Sequence, residues 1–198
     1  MSNAITTENL ANTLIIRFNR PEIRSPLSVF VLEKLHKILD ETIENDAIKK
    51  IIFTGKDDTF ASGADLREIA KLTNETAREF AARGQNLMNK IAEARAVTIA
   101  AINGFCFGGA LDLALACDKR IASSNAMFSH PGVGLGIITG WGGTQRLPRL
   151  IGEAAALEMF LTAKRVDANG ALKIGLIDEI NENPLEFSIA NFCAEHSS

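Results

Sequence analysis

The chain has few of the residues that hold metals or disulfides. Its three cysteines, Cys106, Cys117 and Cys193, sit in or beside apolar runs without metal-like spacing. They read as reduced, mostly buried thiols, which excludes a disulfide-stapled secreted scaffold and makes the cytoplasm the expected compartment. The three histidines, His36, His130 and His196, are scattered and form no ligand pair, so no metal site is expected. No apolar run approaches the roughly 18 residues that a bilayer span requires. The opening MSNAITTENL lacks the basic and apolar regions of a secretory signal. Neither sign of charge dominates: the net value is −3, so neither nucleic acid nor an acidic membrane surface is an expected partner. Repeats, low-complexity tracts and linkers are also missing, which leaves one domain over residues 1–198. Neither G-x-G-x-x-G nor a Walker-type G-x-x-x-x-G-K-S/T occurs, so a dinucleotide- or nucleotide-phosphate site has no motif to rest on.

What is present is a well-supplied core, with 46% hydrophobic and 23% charged residues. The chain is organised around Val97–Asp118. An apolar, partly β-branched run (Val97–Ile102) reads as a buried strand. A glycine-studded turn follows, and then Ala110–Ala116, whose small apolar side chains suit a helix packed on all sides. That order sets the N–H groups of Gly108, Gly109 and Ala110 at a helix start, where donors lack intrahelical partners and the dipole is positive. Such a turn can hold an anion or an oxygen becoming one, and it equally suits a tight strand-to-helix connection.

Around this stretch, strands are predicted at Asn12–Phe18, Lys49–Thr54, Lys119–Ser123, Ala126–Phe128 and Leu176–Ile180. Helices are predicted after Ser28, at Leu66–Leu72 behind an Asp65 cap, and at Asn74–Ala94. Further helices are predicted at Thr144–Arg149, Glu153–Leu161, after Asp167, and at Pro184–Glu195. Strands alternate with helices, so the class is α/β with largely parallel pairing. Between them, His130–Gly143 is a long glycine-rich segment holding the single tryptophan, the kind of loop that lines a pocket.

Four segments stand in a recognisable order: Asn19-Arg20-Pro21-Glu22; Thr59-Phe60-Ala61-Ser62-Gly63-Ala64-Asp65-Leu66; Ala100–Gly104 with Gly108-Gly109 and Leu113–Asp118; and Gly142-Gly143-Thr144-Gln145-Arg146-Leu147-Pro148-Arg149. Together they resemble the enoyl-CoA hydratase/isomerase (crotonase) superfamily from about residue 10 to residue 180. The resemblance implies a spiral of ββα units, acyl-CoA thioesters as substrates, and no cofactor beyond the coenzyme A of the substrate. It implies a homotrimer or dimer of trimers where the C-terminal helices are present. It further implies that the N–H groups of Ala64 and Gly109 polarise the thioester carbonyl and stabilise an enolate. The backbone from Ser62 through Gly63 and Asp65 to Leu66 would wrap the coenzyme. Arg24 and Arg67 are candidate partners for its phosphates, against the alternative of solvated surface charges.

The sequence also departs from the family pattern. A typical hydratase of the family uses two glutamates as base and acid. The first position is Asp112, one methylene shorter, and the second, after Pro131, is Gly132. Ordinary hydration is therefore doubtful on the motif alone. The alternatives are an acyl-CoA decarboxylase-type member or a CoA-binding protein with little hydratase activity. Asp112, His130 or Thr139 could supply a proton, or water could. The alternative for His130 is a loop histidine hydrogen-bonded to backbone, and for Asp112 a helix residue tied to backbone or arginine. Trp141 reads as a pocket wall. The chain ends at Ser198 after one predicted helix, so the C-terminal helical trimerisation region of the family is expected to be missing or shortened.

Overall fold

The five residues Lys50–Thr54 are all buried, and this two-sided burial sets the layering. Ile51 and Phe53 face the main core, whereas Ile52 joins Ile99, Ala101 and Ile121 on the opposite face. Strands covered on both faces belong to a parallel sheet wrapped by helices. The computed structural model, which describes residues 3–43 and 45–192, has this arrangement.

In chain order the elements are β1 (Ile5–Leu10), β2 (Thr13–Phe18), α1 (Val29–Ile43), β3 (Lys50–Thr54), β4 (Thr59–Ala61), α2 (Leu66–Ile69), α3 (Asn74–Ala92), β5 (Val97–Ile102), β6 (Phe105–Phe107) and α4 (Gly109–Ala116). There follow β7 (Lys119–Ala122), β8 (Met127–Ser129), α5 (Gly143–Ile151), α6 (Glu153–Thr162), β9 (Val166–Asp167), α7 (Ala168–Lys173), β10 (Glu179–Ile180) and α8 (Pro184–Ala190). One sheet has the order β1-β2-β3-β5-β7-β10 and the other β4-β6-β8-β9. Each turn of the chain lays one strand in the large sheet and the next in the small one: β3 then β4, β5 then β6, β7 then β8. This is the expected spiral of ββα units. Among the described residues only β1–β2 and β8–β9 pair antiparallel within the sheets.

Several boundaries differ from the sequence expectation. The Thr6–Asn9 stretch carries no apolar alternation, yet β1 forms because Ala11 turns the chain back at φ 52 and β2 supplies a full ladder. The glycine-studded turn contains β6, and the turn beginning at Phe60 starts as β4. Of the expected strand Leu176–Ile180 only Glu179–Ile180 pairs. The Leu176 N–H is taken by the Ala171 carbonyl at the end of α7, and its carbonyl accepts from Arg120 Nε at 3.0 Å. The final helix runs to Ala190, and the remainder of the expected span beyond 192 lies outside the described residues, as do Cys193 and His196. Cys106 and Cys117 are buried free thiols, as expected.

The two faces of the large sheet serve different ends. On one, Leu185, Phe187, Ile189 and Phe192 cover Ile52, Ile99 and Ile121. There Lys50 Nζ donates to the Ser188 and Ile189 carbonyls at 3.0 and 2.9 Å, satisfying carbonyls at the end of α8. On the other face lies the main core, with α4 buried from Ala110 to Ala116. Asp65 and Asp167 cap α2 and α7, accepting from Arg67 N and Gly170 N as their positions predict. Among the described residues no helix is long and apolar enough to cross a membrane.

Candidate active site

The site grows from two turns at the ends of neighbouring strands. β4 and β6 pair in parallel, so the bends that follow them, Ser62–Asp65 and Gly108, lie side by side. Gly63 is at φ +86, and a methyl on it would stand 2.6 Å from the Phe107 carbonyl oxygen and 2.7 Å from Gly109 N. Only glycine allows that approach. The Gly63 carbonyl accepts from Leu27 N at 2.8 Å, which ties this bend to the start of α1. Glu68 adds a second tie by accepting from Val29 N at 2.8 Å. Gly108, at φ 54, turns the chain into α4. Among the described residues neither the Ala64 nor the Gly109 N–H has a hydrogen-bond acceptor. Both residues line one cavity of about 220 Å³.

Asp112 and His130 meet in the wall of that cavity. Asp112 lies one turn along α4 and is wholly buried; Thr139 Oγ1 donates to its Oδ2. Its other oxygen, Oδ1, is 3.7 Å from His130 Nε2 and has no hydrogen-bond partner. His130 is 3% exposed, rests on Phe160 with ring centroids 5.0 Å apart, and has neither ring nitrogen partnered. The backbone-bonded loop histidine that the sequence allowed is therefore not what forms, whereas Asp112 takes the Thr139 hydroxyl and also has the Trp141 backbone and the Arg146 charge beside it, as its helix-residue alternative expected. Burial pushes the Asp112 carboxyl up to about 7, opposed in part by the Thr139 hydroxyl, the Trp141 backbone and the Arg146 charge. Burial also pulls the His130 imidazole down to about 4. At neutral pH the carboxyl is thus about half protonated and the imidazole neutral.

Gly132 lines the cavity but offers no room for a side chain. A methyl there would sit 2.6 Å from the Ile137 carbonyl oxygen, in a turn closed by Ile137 N donating to the Gly132 carbonyl at 3.0 Å. Gly132→Glu is accordingly expected to open this turn, lowering thermal stability by about 1–3 kcal/mol, rather than to install a working second carboxylate. Thermal melts alongside a hydration assay check this, with no rise in rate as the expected result.

The remaining expected residues divide into two groups. Ser62, Leu66, Thr139 and Trp141 line the cavity with Ala64, Gly109, Asp112, His130 and Gly132. Trp141 is a wall: 3% exposed, it lies between Gly84 of α3 and Gly109 of α4, where added methyls would come within 2.2 and 2.3 Å of its ring. Phe80 packs on it with centroids 5.7 Å apart. Gly63, Asp65, Arg67 and Arg24 stay outside the lining. Arg67 is exposed and bonded through Nε and Nη2 to Asp65 at 3.0 and 2.6 Å, whereas Arg24 lies over the Phe105 ring at 5.7 Å. Leu72 and Phe160 also line the cavity, and sequence reasoning did not single them out. Among the described residues no cluster of histidine, cysteine, aspartate and glutamate could hold a metal.

Comparison with known proteins agrees with this architecture. The family model described as enoyl-CoA hydratase/isomerase matches residues 8–187. The short-chain-enoyl-CoA hydratase of Clostridium acetobutylicum is 37% identical over 182 residues, covering 91% of this chain and 69% of that protein. The crotonyl-CoA hydratase of Syntrophomonas wolfei is 39% identical over 177 residues, covering 89% of this chain and 68% of its own length. Among solved structures, an enoyl-CoA hydratase from Bacillus anthracis superposes with a TM-score of 0.88 at 35% identity, over 95% of this chain and 74% of the other. With the spiral of paired strands, the two glycine-rich bends and a match across most of the sequence, the chain belongs to the enoyl-CoA hydratase/isomerase family of the crotonase superfamily.

Proposed function

We propose that the chain is an acyl-CoA thioester enzyme that hydrates a short 2-enoyl thioester, with the Ala64 and Gly109 N–H groups as the oxyanion hole. The observation that carries this reading is the pair of unaccepted N–H groups, from bends far apart in sequence, opening on one apolar cavity beside a buried carboxyl. In the reaction, the water oxygen bonds Cβ, the C=C electrons move onto the thioester oxygen, and the resulting enolate takes a proton at Cα. Two fixed amide donors stabilise the oxyanion without reorganisation. Asp112 is the acid/base group, since a carboxyl held near pKa 7 can hold and release a proton at neutral pH. Leu72, Phe80, Trp141 and Phe160 give the cavity an apolar lining suited to an acyl chain.

A thioester panel read by mass spectrometry tests the proposal. Crotonyl-CoA is expected to gain one water, while malonyl-CoA stays intact. Loss of carbon dioxide from malonyl-CoA without hydration of crotonyl-CoA would replace this reading by a decarboxylase. Binding without turnover of any thioester would replace it by a CoA-binding protein.

A further inference from the structure

We propose that His130 is the second proton-transferring residue of this site, supplying from the β8 end the group that Gly132 cannot. The inference rests on the hydratase reading above. Asp112 and His130 both line the cavity, and Asp112 Oδ1 and His130 Nε2 are both buried and both unpartnered, 3.7 Å apart. That gap is too long for a direct hydrogen bond, and neither atom has surface open to water in this structure, so the attacking water reaches them only as the bound acyl group opens the wall between them. Buried polar atoms without partners are rare in folded proteins and call for a ligand or a task. Thr139 occupies Asp112 Oδ2, leaving Oδ1 as the free atom that faces the imidazole.

The charged and titratable neighbours do not disturb this assignment. Asp112 feels Arg146 from α5, and the Cys106 thiol of β6 lies close enough to feel the carboxylate. The ring against His130 is the uncharged Phe160. Near neutral pH the pair is therefore a carboxyl that holds its proton about half of the time beside a neutral imidazole, so an acid and a base stand together.

The step balances with these two groups alone. As the water oxygen bonds Cβ, His130 Nε2 takes a water proton and the C=C electrons move to the thioester oxygen. The enolate then takes the Asp112 Oδ1 proton at Cα, leaving a carboxylate beside an imidazolium. Proton transfer from Nε2 to Oδ1 restores both, so one proton of water ends on Cα and its hydroxyl on Cβ.

His130→Gln and His130→Ala, assayed with crotonyl-CoA, test the assignment. His130→Gln is expected to lose roughly 10²- to 10⁴-fold in kcat with little change in KM. Added imidazole is expected to restore part of the rate of His130→Ala. In the unmutated protein, kcat/KM is expected to fall tenfold per pH unit above about 7, as the Asp112 acid is lost. Both variants are also examined by the infrared carbonyl band of bound ¹³C-labelled butyryl-CoA, which reports the amide pair without any proton transfer. A band shifted as in the unmutated protein, with the rate lost and imidazole rescue seen, supports the assignment. A His130→Gln rate within fivefold of normal overturns it, as does a lost band shift, which would make His130 a structural support. If the unmutated protein neither shifts the band nor hydrates crotonyl-CoA, the hydratase reading itself fails.

Discussion

Asp112→Asn is expected to lower kcat for crotonyl-CoA hydration by two to four orders of magnitude, with binding of saturated acyl-CoA largely unchanged. The side chain lines the cavity, and asparagine keeps its shape while removing the titratable proton that the proposed acid/base role requires. The same substitution has a stability signature whose sign can be worked out. In the folded protein Asp112 titrates near 7, above its ordinary 3.8, so its contribution is full at low pH and is lost as pH rises through that window. His130 titrates near 4, below its ordinary 6.5, so its contribution is present at high pH and is lost as pH falls from 6.5 to 4. Between about pH 4 and 6.5 the two slopes oppose each other at up to ~1.4 kcal/mol per unit each, and the pair contributes a nearly flat profile. Removing Asp112 leaves the histidine slope alone. Urea midpoints of Asp112→Asn, compared with those of the unmutated protein, are then expected to climb from pH 4.5 to pH 6.5. A descending difference would contradict the assigned protonation states.

Gly109→Ala is expected to abolish turnover for a different reason. The new methyl would stand 2.3 and 2.4 Å from Cζ3 and Cε3 of Trp141. The ring has nowhere to retreat, because its pyrrole edge already lies against Gly84 of α3, at a distance a methyl could not share. Either the indole swings into the acyl cavity or the start of α4 moves, and both displace the Gly109 N–H. A shift of about 1 Å at a reacting centre costs on the order of a hundredfold, and overpacking of this kind costs ~1–3 kcal/mol in stability. Trp141→Phe in the same chain removes the outer ring atoms that collide. The double variant is therefore expected to regain stability that neither single change predicts by addition, a coupling a double-mutant cycle measures. Additive losses would show that Gly109 matters for its backbone conformation rather than for the space it leaves.

How much of this was written in the residue order depends on how local each feature is. The caps at Asp65 and Asp167, the strand Val97–Ile102 and the buried helix of small residues after Gly108 were all legible, because each is fixed by a few adjacent side chains. The class and the two small-residue bends were legible from alternation and from the resemblance together. Features made by distant contacts were not. β1 is an edge strand whose Thr6–Asn9 side chains give no hydrophobic period, and only its pairing with β2 defines it. The carbonyls that Lys50 satisfies lie 138 and 139 residues away. Nothing near Gly84 announces that it makes room for an indole 57 positions later, and nothing near His130 says that its ring ends unpartnered beside Asp112. Gly132 stands by motif where the family carries a carboxylate, and the Ile137 carbonyl beside it leaves no room for a side chain.

The most direct measurement concerns the amide pair, separated from every acid and base. Incorporating an α-hydroxy acid at position 109 turns the Gly108–Gly109 amide into an ester, which removes one N–H and adds no atom to crowd Trp141. The infrared carbonyl band of bound ¹³C-labelled butyryl-CoA is then compared among the unmodified protein, Asp112→Asn and the ester form. The band is expected to move to lower frequency in the first two and to lose much of that shift in the ester, whose kcat should fall by roughly 10²- to 10³-fold. An unchanged band in the ester form, or no shift in the unmodified protein, would contradict the account.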